Sequence, residues 1–264
     1  MVQLYETLRE VKGLKPGYVS VTYGAGGGTR DRTIEVVKRA RREVGLESMA
    51  HLTCVGHSRE EIKGILDELD NSGIENVIAL RGDPPKGEAS FTPHPDGFKY
   101  ASELTAFIRS SYSLCIAVAG YPEGHIESPD TETDWNYLRR KVMAGADFII
   151  TQLFFDNRDF FAFERRMREK GVTVPIIPGI MPITNYNQIV RFTQTCGAKI
   201  PEGVTNDLEH IKSDPELVRR YGVEYATRQC RELILHGVPG IHFYTLNNSD
   251  SSRRIVENLR DLRG

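Results

Sequence analysis

The chain has 264 residues, with 34 basic and 36 acidic side chains and a formal net charge of −2, a balance that argues against a general binder of nucleic acids or membrane surfaces. No apolar run approaches the roughly 20 residues of a membrane-spanning helix, and residues 1–6 lack the basic-then-apolar pattern of a signal peptide. The four cysteines are widely spaced and form no CxxC pair, which predicts reduced packing cysteines in a cytoplasmic protein.

Helical and strand patterns alternate through the first half of the chain. Apolar spacing and capping residues predict helices over 3–13, 29–44, 58–72 and 97–111. Strands are expected over 18–23, 51–55, 76–80 and 115–119, which are rich in β-branched and apolar residues. Thr29 and Ser58 are the predicted N-caps of the second and third helices.

The same alternation continues through the second half. Strands are expected over 148–155, 174–178 and 240–245, and helices over 133–144, from the fifth strand to Lys170, and over 184–195 with Thr184 as the cap. Residues 202–236 are predicted to form two helical segments that break near Asp214 and Pro215, and 251–262 the last helix.

This alternation, with short turns, predicts βα units and a parallel sheet within a single domain over 1–264. Seven strands are found and the chain begins with a helix, whereas a (β/α)8 barrel has eight strands in about 250 residues. The sequence therefore predicts an α/β protein, a (β/α)8 TIM barrel whose first strand is missing from this chain. A doubly wound open sheet is the alternative, although residues 24–28 lack the GxGxxG spacing of that fold.

If the fold is a barrel, the residues at the ends of the predicted strands converge on one mouth, where a barrel keeps its chemistry. They are Thr22, Tyr23, Gly24, Ala25, His51, Thr53, Arg81, Gly82, Asp83, Tyr121, His125, Thr151, Gln152, Tyr244 and Thr245. The set is short of metal ligands, and the chain has no GxSxG motif, so no metal is expected and acyl transfer is disfavoured. Aromatic faces, amides, hydroxyls and a few cations suit a large planar ligand with phosphates.

Simpler explanations remain for several of these residues. Arg81 and Asp83 can form a structural ion pair that holds a loop, and Tyr100 can be a helix packing residue. Arg140 and Lys141 can either face a diphosphate or belong to a solvated helix face. His242, within a predicted strand, fits a core histidine better than a ligand.

Seven stretches together resemble one known family, and they occur in that family's order. They are 19–25, 51–54, 79–85, 119–125, 150–155, 178–182 and 242–247. The chain resembles the methylenetetrahydrofolate reductases, flavin-dependent (β/α)8 enzymes of one-carbon metabolism. The resemblance covers nearly the whole chain and implies reduction of 5,10-methylenetetrahydrofolate to 5-methyltetrahydrofolate by NADH or NADPH through FAD.

The resemblance also implies roles for individual residues. Asp83 and Gln152 would be catalytic, with Asp83 favouring a 5-iminium cation of the folate. Folate would contact Asp83, Gln152, Gln188, Phe192 and Tyr244, and the nicotinamide cofactor would meet Gln152 and Phe192. FAD would be contacted by Thr22, Tyr23, Ala25, His51, Arg81, Gly82, Asp83, Tyr100, Ala101, Tyr121, His125, Asp134, Arg140 and Lys141.

The chain departs from the family pattern at three points. The family opens with a strand of the form Phe-Glu-Phe-Phe-Pro, whose glutamate is the general acid for ring opening, and this chain shows no such strand. The family pattern has an asparagine at the position of Tyr137 and a basic residue at the position of Asn248. A start upstream of Met1, a natural short form, or a strand from another segment or subunit would each account for the missing strand.

These departures leave a second function open, a catalytically impaired protein that binds flavin, folate or a partner. A missing strand leaves two unpaired sheet edges, so a homo-oligomer or a strand-supplying partner is expected. No regulatory domain of the longer family members is expected in this chain.

Overall fold

The computed structural model describes residues 2–22, 30–84, 87 and 91–262. In chain order the α-helices α1 to α10 are Val2–Gly13, Arg30–Arg39, Arg59–Asn71, Ala101–Ser111, Thr131–Met143, Asn157–Glu169, Tyr186–Cys196, Glu202–Ile211, Pro215–His236 and Asp250–Asn258. The strands β1 to β7 are Val19–Val21, Ser48–Thr53, Asn76–Leu80, Cys115–Gly120, Phe148–Leu153, Ile176–Ile180 and His242–Phe243. A π-helical turn, Ala40–Val44, extends α2, and a 3-10 turn, Arg260–Leu262, follows α10.

The seven strands form one sheet whose hydrogen-bonded order follows the chain from β1 to β7. The pairs β1–β2, β2–β3, β3–β4 and β6–β7 are parallel. Consecutive parallel strands joined by helices have the order of a (β/α)8 barrel. The predicted fold class is confirmed, as is the count of seven strands within the described residues. The doubly wound alternative is wrong because its strand order would reverse. Among the described residues, α1 precedes β1 and no strand does.

The chain forms two compact units, Met1–Ala119 with Tyr137–Ile149 and Gly120–Asn136 with Ile150–Gly264. In the first unit, α1 packs Tyr5 and Leu8 against the apolar side chains of the π-helical turn. In the second unit, the ends of β5 and β6 pack against α7, α8 and α9 around Leu153, Met181 and Leu208. The prediction of a single domain stays a prediction.

Three strands differ from their predicted ranges by two or more residues at each end. β2 begins at Ser48 and not at His51, because it pairs with β1 there, and the buried Ser48 hydroxyl can enter the core by donating to the Leu46 carbonyl oxygen at 3.1 Å. β6 runs past Pro178, where the sequence suggested an end, because the Gly179 amide donates to Thr151 Oγ1 at 2.9 Å. β7 has only two residues, and Leu246 and Asn247 beyond it have positive φ angles.

The helix ends follow the local capping groups. Ser58 caps α3, as predicted, and Asp214 caps α9 at the break predicted near residue 214. Asn185, and not Thr184, caps α7, because its side chain accepts the Gln188 amide. α4 begins later than predicted, after Tyr100 in extended conformation. Thr29, the predicted cap of α2, lies outside the described residues.

In the described part of the chain, no helix is long and apolar enough to cross a membrane.

Replacing Ser58 by alanine is expected to lower the free energy of unfolding by about 1 kcal/mol, the usual contribution of an N-cap. Ser58 Oγ accepts the Glu61 amide at 3.2 Å, and the Glu61 carboxylate accepts the Ser58 amide at 2.8 Å, which is a capping box. Urea unfolding at neutral pH measures the loss. Ser110→Ala, on an exposed helix surface, is the matched control, and equal stability of the two variants would contradict the role of the cap.

These hydrogen bonds hold the pKa of the Glu61 carboxyl below its usual value. The stabilisation is therefore complete above the unfolded pKa of about 4.3 and is lost as the pH falls through the lower folded pKa. Ser58→Ala should accordingly be less damaging in acid than at neutral pH.

Candidate functional site

Arg81, Gly82 and Asp83 follow β3 directly, level with the end of β2. Leu80 lies opposite Thr53 in the parallel register. Gly82 has a φ of +89°, and a Cβ atom there would lie 2.7 Å from Val55 Cγ1 and 3.1 Å from Thr53 Cβ. Only glycine allows the chain to pass this close to the end of β2. This tight turn fixes the backbone on both sides of Gly82, and the side chain of Asp83, the next residue, is exposed.

The Arg81 side chain is half-buried and lies over an aromatic ring. Its guanidinium carbon is 5.1 Å from the centroid of the Phe91 ring, and its Nε donates to the Gly82 carbonyl oxygen at 3.3 Å. A planar guanidinium of this kind has the geometry to bind an anionic ligand.

The other predicted flavin-contacting residues of the first unit occupy varied environments. His51 is half-buried within β2, Thr22 is exposed after β1, and Tyr23 and Ala25 lie outside the described residues. Tyr100 is half-exposed at the start of α4, with the Lys99 ammonium 5.2 Å from its ring centroid, and Ala101 is buried beside it.

Lys141 and Arg140, neighbours on α5, differ in what they contact. The half-buried Lys141 ammonium donates to the Ala119 carbonyl oxygen near the end of β4. Arg140 is exposed, and its guanidinium carbon is 5.5 Å from the centroid of the Tyr137 ring. Lys141 therefore places a cation beside a strand end, whereas the exposed Arg140 fits either of the two explanations given for it.

In the second unit, residues 121–130 form a tight loop between β4 and α5, here called the β4–α5 loop. The Tyr121 and His125 rings meet edge to face at a centroid distance of 4.7 Å. The indole of Trp135, the single tryptophan, donates to the Tyr121 carbonyl oxygen at 3.0 Å. The buried Asp134 carboxylate accepts the Ser128 hydroxyl at 3.2 Å. Three of the predicted flavin contacts are thus brought together in one ordered segment.

Hydrogen bonds among Thr151, Gly179 and Tyr244 connect the ends of β5, β6 and β7. Thr151 Oγ1 accepts the Gly179 amide at 2.9 Å, and the Tyr244 hydroxyl donates to the Thr151 carbonyl oxygen at 2.7 Å. The Tyr244 amide also donates to the Ile180 carbonyl oxygen at 2.9 Å. The predicted substrate residue Tyr244 is therefore held at both its backbone and its hydroxyl.

His242 lies next to Tyr244, with a ring-centroid distance of 5.2 Å. Burial lowers the pKa of the His242 imidazole to about 4, so the ring is neutral at physiological pH. This environment matches the predicted structural role of His242.

Gln188 and Phe192 lie one helical turn apart on α7, and both are predicted to meet substrate. Gln188 is exposed, whereas Phe192 packs on the apolar cluster of the second unit. Because residues four apart share a helix face, the two side chains can contact one ligand.

Gln152 lines a small cavity beside the β4–α5 loop. Its Oε1 accepts the Leu153 amide at 2.9 Å, which leaves the side-chain NH2 as the group that can donate. The cavity is lined by Tyr121, Pro122, Glu123, Gly124, Gln152, Leu153, Cys196 and Ala198.

Glu123 in this cavity is a residue that the sequence reasoning missed. Its carboxylate accepts the Lys199 amide at 3.0 and 3.2 Å, and burial raises its pKa to about 7. In the sequence, the only indication of a role for Glu123 is that its carboxylate lies between Tyr121 and His125, two predicted flavin contacts. In the described part of the chain, no group of three or more metal-ligating side chains can hold a metal ion.

A family model described as methylenetetrahydrofolate reductase matches residues 1–260. The chain is 41% identical over 267 residues to "Methylenetetrahydrofolate reductase (NADH) 1" of Arabidopsis thaliana, covering 97% of this chain and 45% of that protein. It is 37% identical over 256 residues to "5,10-methylenetetrahydrofolate reductase" of Escherichia coli (strain K12), covering 97% of this chain and 84% of that protein. The chain thus spans about half the length of its plant relatives.

Two solved structures share the fold at low sequence identity. One is an uncharacterized protein from Clostridium thermocellum that binds two copies of 5-methyl-5,6,7,8-tetrahydrofolic acid, with a TM-score of 0.50, 15% identity and coverage of 96% of this chain and 98% of that one. The other is 2,3-dimethylmalate lyase, with a TM-score of 0.52, 10% identity and coverage of 96% and 77%. At these identities the likeness concerns the fold alone.

Proposed function

The chain belongs to the methylenetetrahydrofolate reductase family, and on this basis we propose that it reduces 5,10-methylenetetrahydrofolate to 5-methyltetrahydrofolate with NADH or NADPH and FAD. The observation that carries the proposal is the family match over residues 1–260, together with identities near 40% to reductases of plants. In the structure, the polar groups at the strand ends also support this proposal.

The residues of the first unit suit FAD as a ligand. Arg81 and Lys141 supply two half-buried cations, at the end of β3 and beside the end of β4, and such cations suit a diphosphate. We propose that FAD contacts these two and Thr22, Tyr23, Ala25, His51, Gly82, Asp83, Tyr100, Ala101, Tyr121, His125, Asp134 and Arg140. When bound, the flavin supplies hydride transfer between the nicotinamide and the folate.

The residues of the protein would bind, orient and stabilise the reactants. The exposed Asp83 carboxylate would stabilise the positive charge of the 5-iminium form of the folate, which is the form that accepts the hydride. Gln152 would donate from its side-chain NH2 group, and Tyr244 would offer its ring, because its hydroxyl is bonded to Thr151. Gln188 and Phe192 would complete the folate contacts, and Gln152 and Phe192 would also meet the nicotinamide.

Compartment and assembly are further parts of the proposal. Four free cysteines support a reducing, cytoplasmic compartment. β1 and β7 end the hydrogen-bonded order of the sheet, which supports a homo-oligomer or a partner that adds a strand. Light scattering on the purified chain measures the oligomeric state directly.

The purified chain is expected to show a flavin absorption spectrum under anaerobic conditions, and the absorbance should bleach when NADH or NADPH is added. Adding 5,10-methylenetetrahydrofolate should then restore the absorbance and yield 5-methyltetrahydrofolate. Bleaching without folate turnover would favour a flavin-binding protein that cannot open the folate ring. A protein that stays colourless with added FAD would overturn the proposal.

A further inference from the structure

One face of helix α9 meets the chain where two strands end. Gly222, Tyr225 and Gln229 are three and four residues apart, so they share this face, here called the Gln229 face. A Cβ atom on residue 222 would lie 1.8 Å from the Ile183 carbonyl oxygen, so only glycine lets α9 come this close to the segment between β6 and α7. The other two residues of the face reach the end of β5.

The chain leaves the sheet after Leu153, and the Gln229 face binds the two carbonyl groups that follow. The Gln229 side-chain NH2 group donates to the Phe154 carbonyl oxygen at 3.0 Å, and the Tyr225 hydroxyl donates to the Phe155 carbonyl oxygen. Both phenylalanines are fully buried, and a buried carbonyl group that lacks a partner costs free energy. Helix α9 therefore supplies the hydrogen bonds that the sheet no longer provides at this point.

Gln229 also binds the start of α6. Asn157, the first residue of α6, donates from its side-chain NH2 group to the Gln229 carbonyl oxygen at 3.0 Å and to Glu232 Oε2 at 2.6 Å. Gln229 and Asn157 are both buried, so water does not compete for the bond between them. The turn at residues 154–156 is therefore bonded to α9 on both sides.

Gln152 lies two residues before this turn and depends on its main chain. Its Oε1 accepts the Leu153 amide at 2.9 Å, so the direction of the side chain follows the orientation of that amide. If the main chain after β5 rotated, the Leu153 amide would rotate with it, and the NH2 group of Gln152 would point elsewhere. The two bonds from α9 oppose this rotation.

We propose that Gln229 and Tyr225 are positioning residues that hold Gln152 in the orientation in which it meets both substrates. This inference rests on the proposed function, in which Gln152 contacts the folate and the nicotinamide. Both residues act through the main chain after β5 and not on the substrates themselves. Because Gln152 binds the substrates before and during hydride transfer alike, loss of its orientation should weaken binding more than it slows the reaction.

The first test needs no enzyme activity. Gln229→Leu removes the donor to Phe154 and keeps most of the side-chain volume, and Tyr225→Phe removes only a hydroxyl. In both variants the amide NMR signal of Leu153 should shift, and its hydrogen exchange should become about 3–10-fold faster, because one hydrogen bond fewer holds the turn. An unchanged Leu153 signal in both variants would overturn the inference.

Thr227→Val is the matched control on the same helix. The Thr227 hydroxyl donates to the Val223 carbonyl oxygen within α9 and accepts the Asn258 side-chain NH2 group, so it bonds to neither β5 nor the turn that follows it. This variant should leave the Leu153 signal and the kinetic constants at their wild-type values. A Leu153 shift as large as that of Tyr225→Phe would show that any loss in α9 moves the turn, which would overturn the inference.

Kinetics separates positioning from stability. Gln229→Leu should raise the KM for 5,10-methylenetetrahydrofolate and for the nicotinamide cofactor by about 3–10-fold each, the usual effect of one weakened hydrogen bond, whereas kcat should fall by less than about 2-fold. The FAD content should stay at the wild-type level, because the proposed FAD contacts lie on other strands, helices and loops. Tyr225→Phe, the smaller change, gives the same test if Gln229→Leu does not fold. A loss of stability with an unchanged KM would identify both residues as purely structural and overturn the inference.

A double-mutant cycle shows whether Gln229 acts through Gln152. In a Gln152→Ala chain, Gln229→Leu should raise the KM for the folate by less than about 2-fold further, because the group that it positions is already gone. Full additivity of the two changes would overturn the inference. The expected change of the Leu153 signal in a chain without reductase activity would reject the proposed function and leave the support of β5 by α9 standing.

Discussion

Replacing Asp83 by asparagine is expected to lower kcat/KM for 5,10-methylenetetrahydrofolate by about 10²–10³-fold, the usual loss when one preorganised electrostatic group is removed from a site. Asparagine has nearly the same size, so the change removes the charge and keeps the shape. Asp83 is exposed and follows the rigid turn at Gly82, so the substitution should not disturb β3. Stopped-flow reoxidation of the enzyme by the folate measures the effect.

The content of bound flavin separates a catalytic role for Asp83 from a cofactor-binding role. We expect the Asp83→Asn protein to retain FAD close to the wild-type level and to accept electrons from NADH at a similar rate. Asp96→Asn, an exposed carboxylate on the loop after β3, is the matched control and should leave both steps unchanged. Equal losses of FAD and of folate reduction would contradict the role given to Asp83.

Replacing Gly179 by alanine is expected to destabilise the protein by about 3 kcal/mol or more, at the upper end of the usual cost of overpacking. A Cβ atom on residue 179 would lie 2.2 Å from the Thr151 carbonyl oxygen and 2.7 Å from Tyr244 Cε2. To make room, β5 and β6 must separate or the Tyr244 ring must turn away. The ring movement would also break the hydrogen bond from its hydroxyl to Thr151. Urea unfolding measures the loss.

Gly203→Ala is the matched control for this prediction. Gly203 lies in α8, and a Cβ atom there would have no neighbour within 4 Å. Alanine at an exposed helix position should raise stability by up to about 1 kcal/mol. Any surviving Gly179→Ala enzyme should also bind folate more weakly, because Tyr244 is displaced. If Gly179→Ala were as stable as wild type, the close approach of the three strand ends would be refuted.

Local signals made much of the fold predictable from the sequence. Ser58 and Asp214 carry capping side chains directly before apolar helical patterns, and both cap helices in the structure. The run 76–80 is apolar on consecutive positions, and β3 occupies those residues. The order of the strands followed from their alternation with helices, because short connections favour neighbouring parallel strands.

Features that depend on residues far apart in the sequence could not be predicted from local signals. The start of β2 depends on its pairing with β1, where Val19 lies opposite Ser48, and the extension of β6 past Pro178 depends on Thr151 in another strand. The polar residues at the strand ends were visible as a set. Glu123 was not, because its burial and its partner Lys199 come from a segment 76 residues away.

The single tryptophan has a practical consequence. Trp135 is the only indole in the chain, and it is bonded to the Tyr121 carbonyl oxygen while its ring meets Phe163 at a centroid distance of 5.8 Å. The tryptophan fluorescence of the protein therefore originates from one place, at the base of the β4–α5 loop. A bound flavin absorbs where indole emits, so energy transfer would quench this emission. The chain thus carries an optical probe of cofactor occupancy that needs no label.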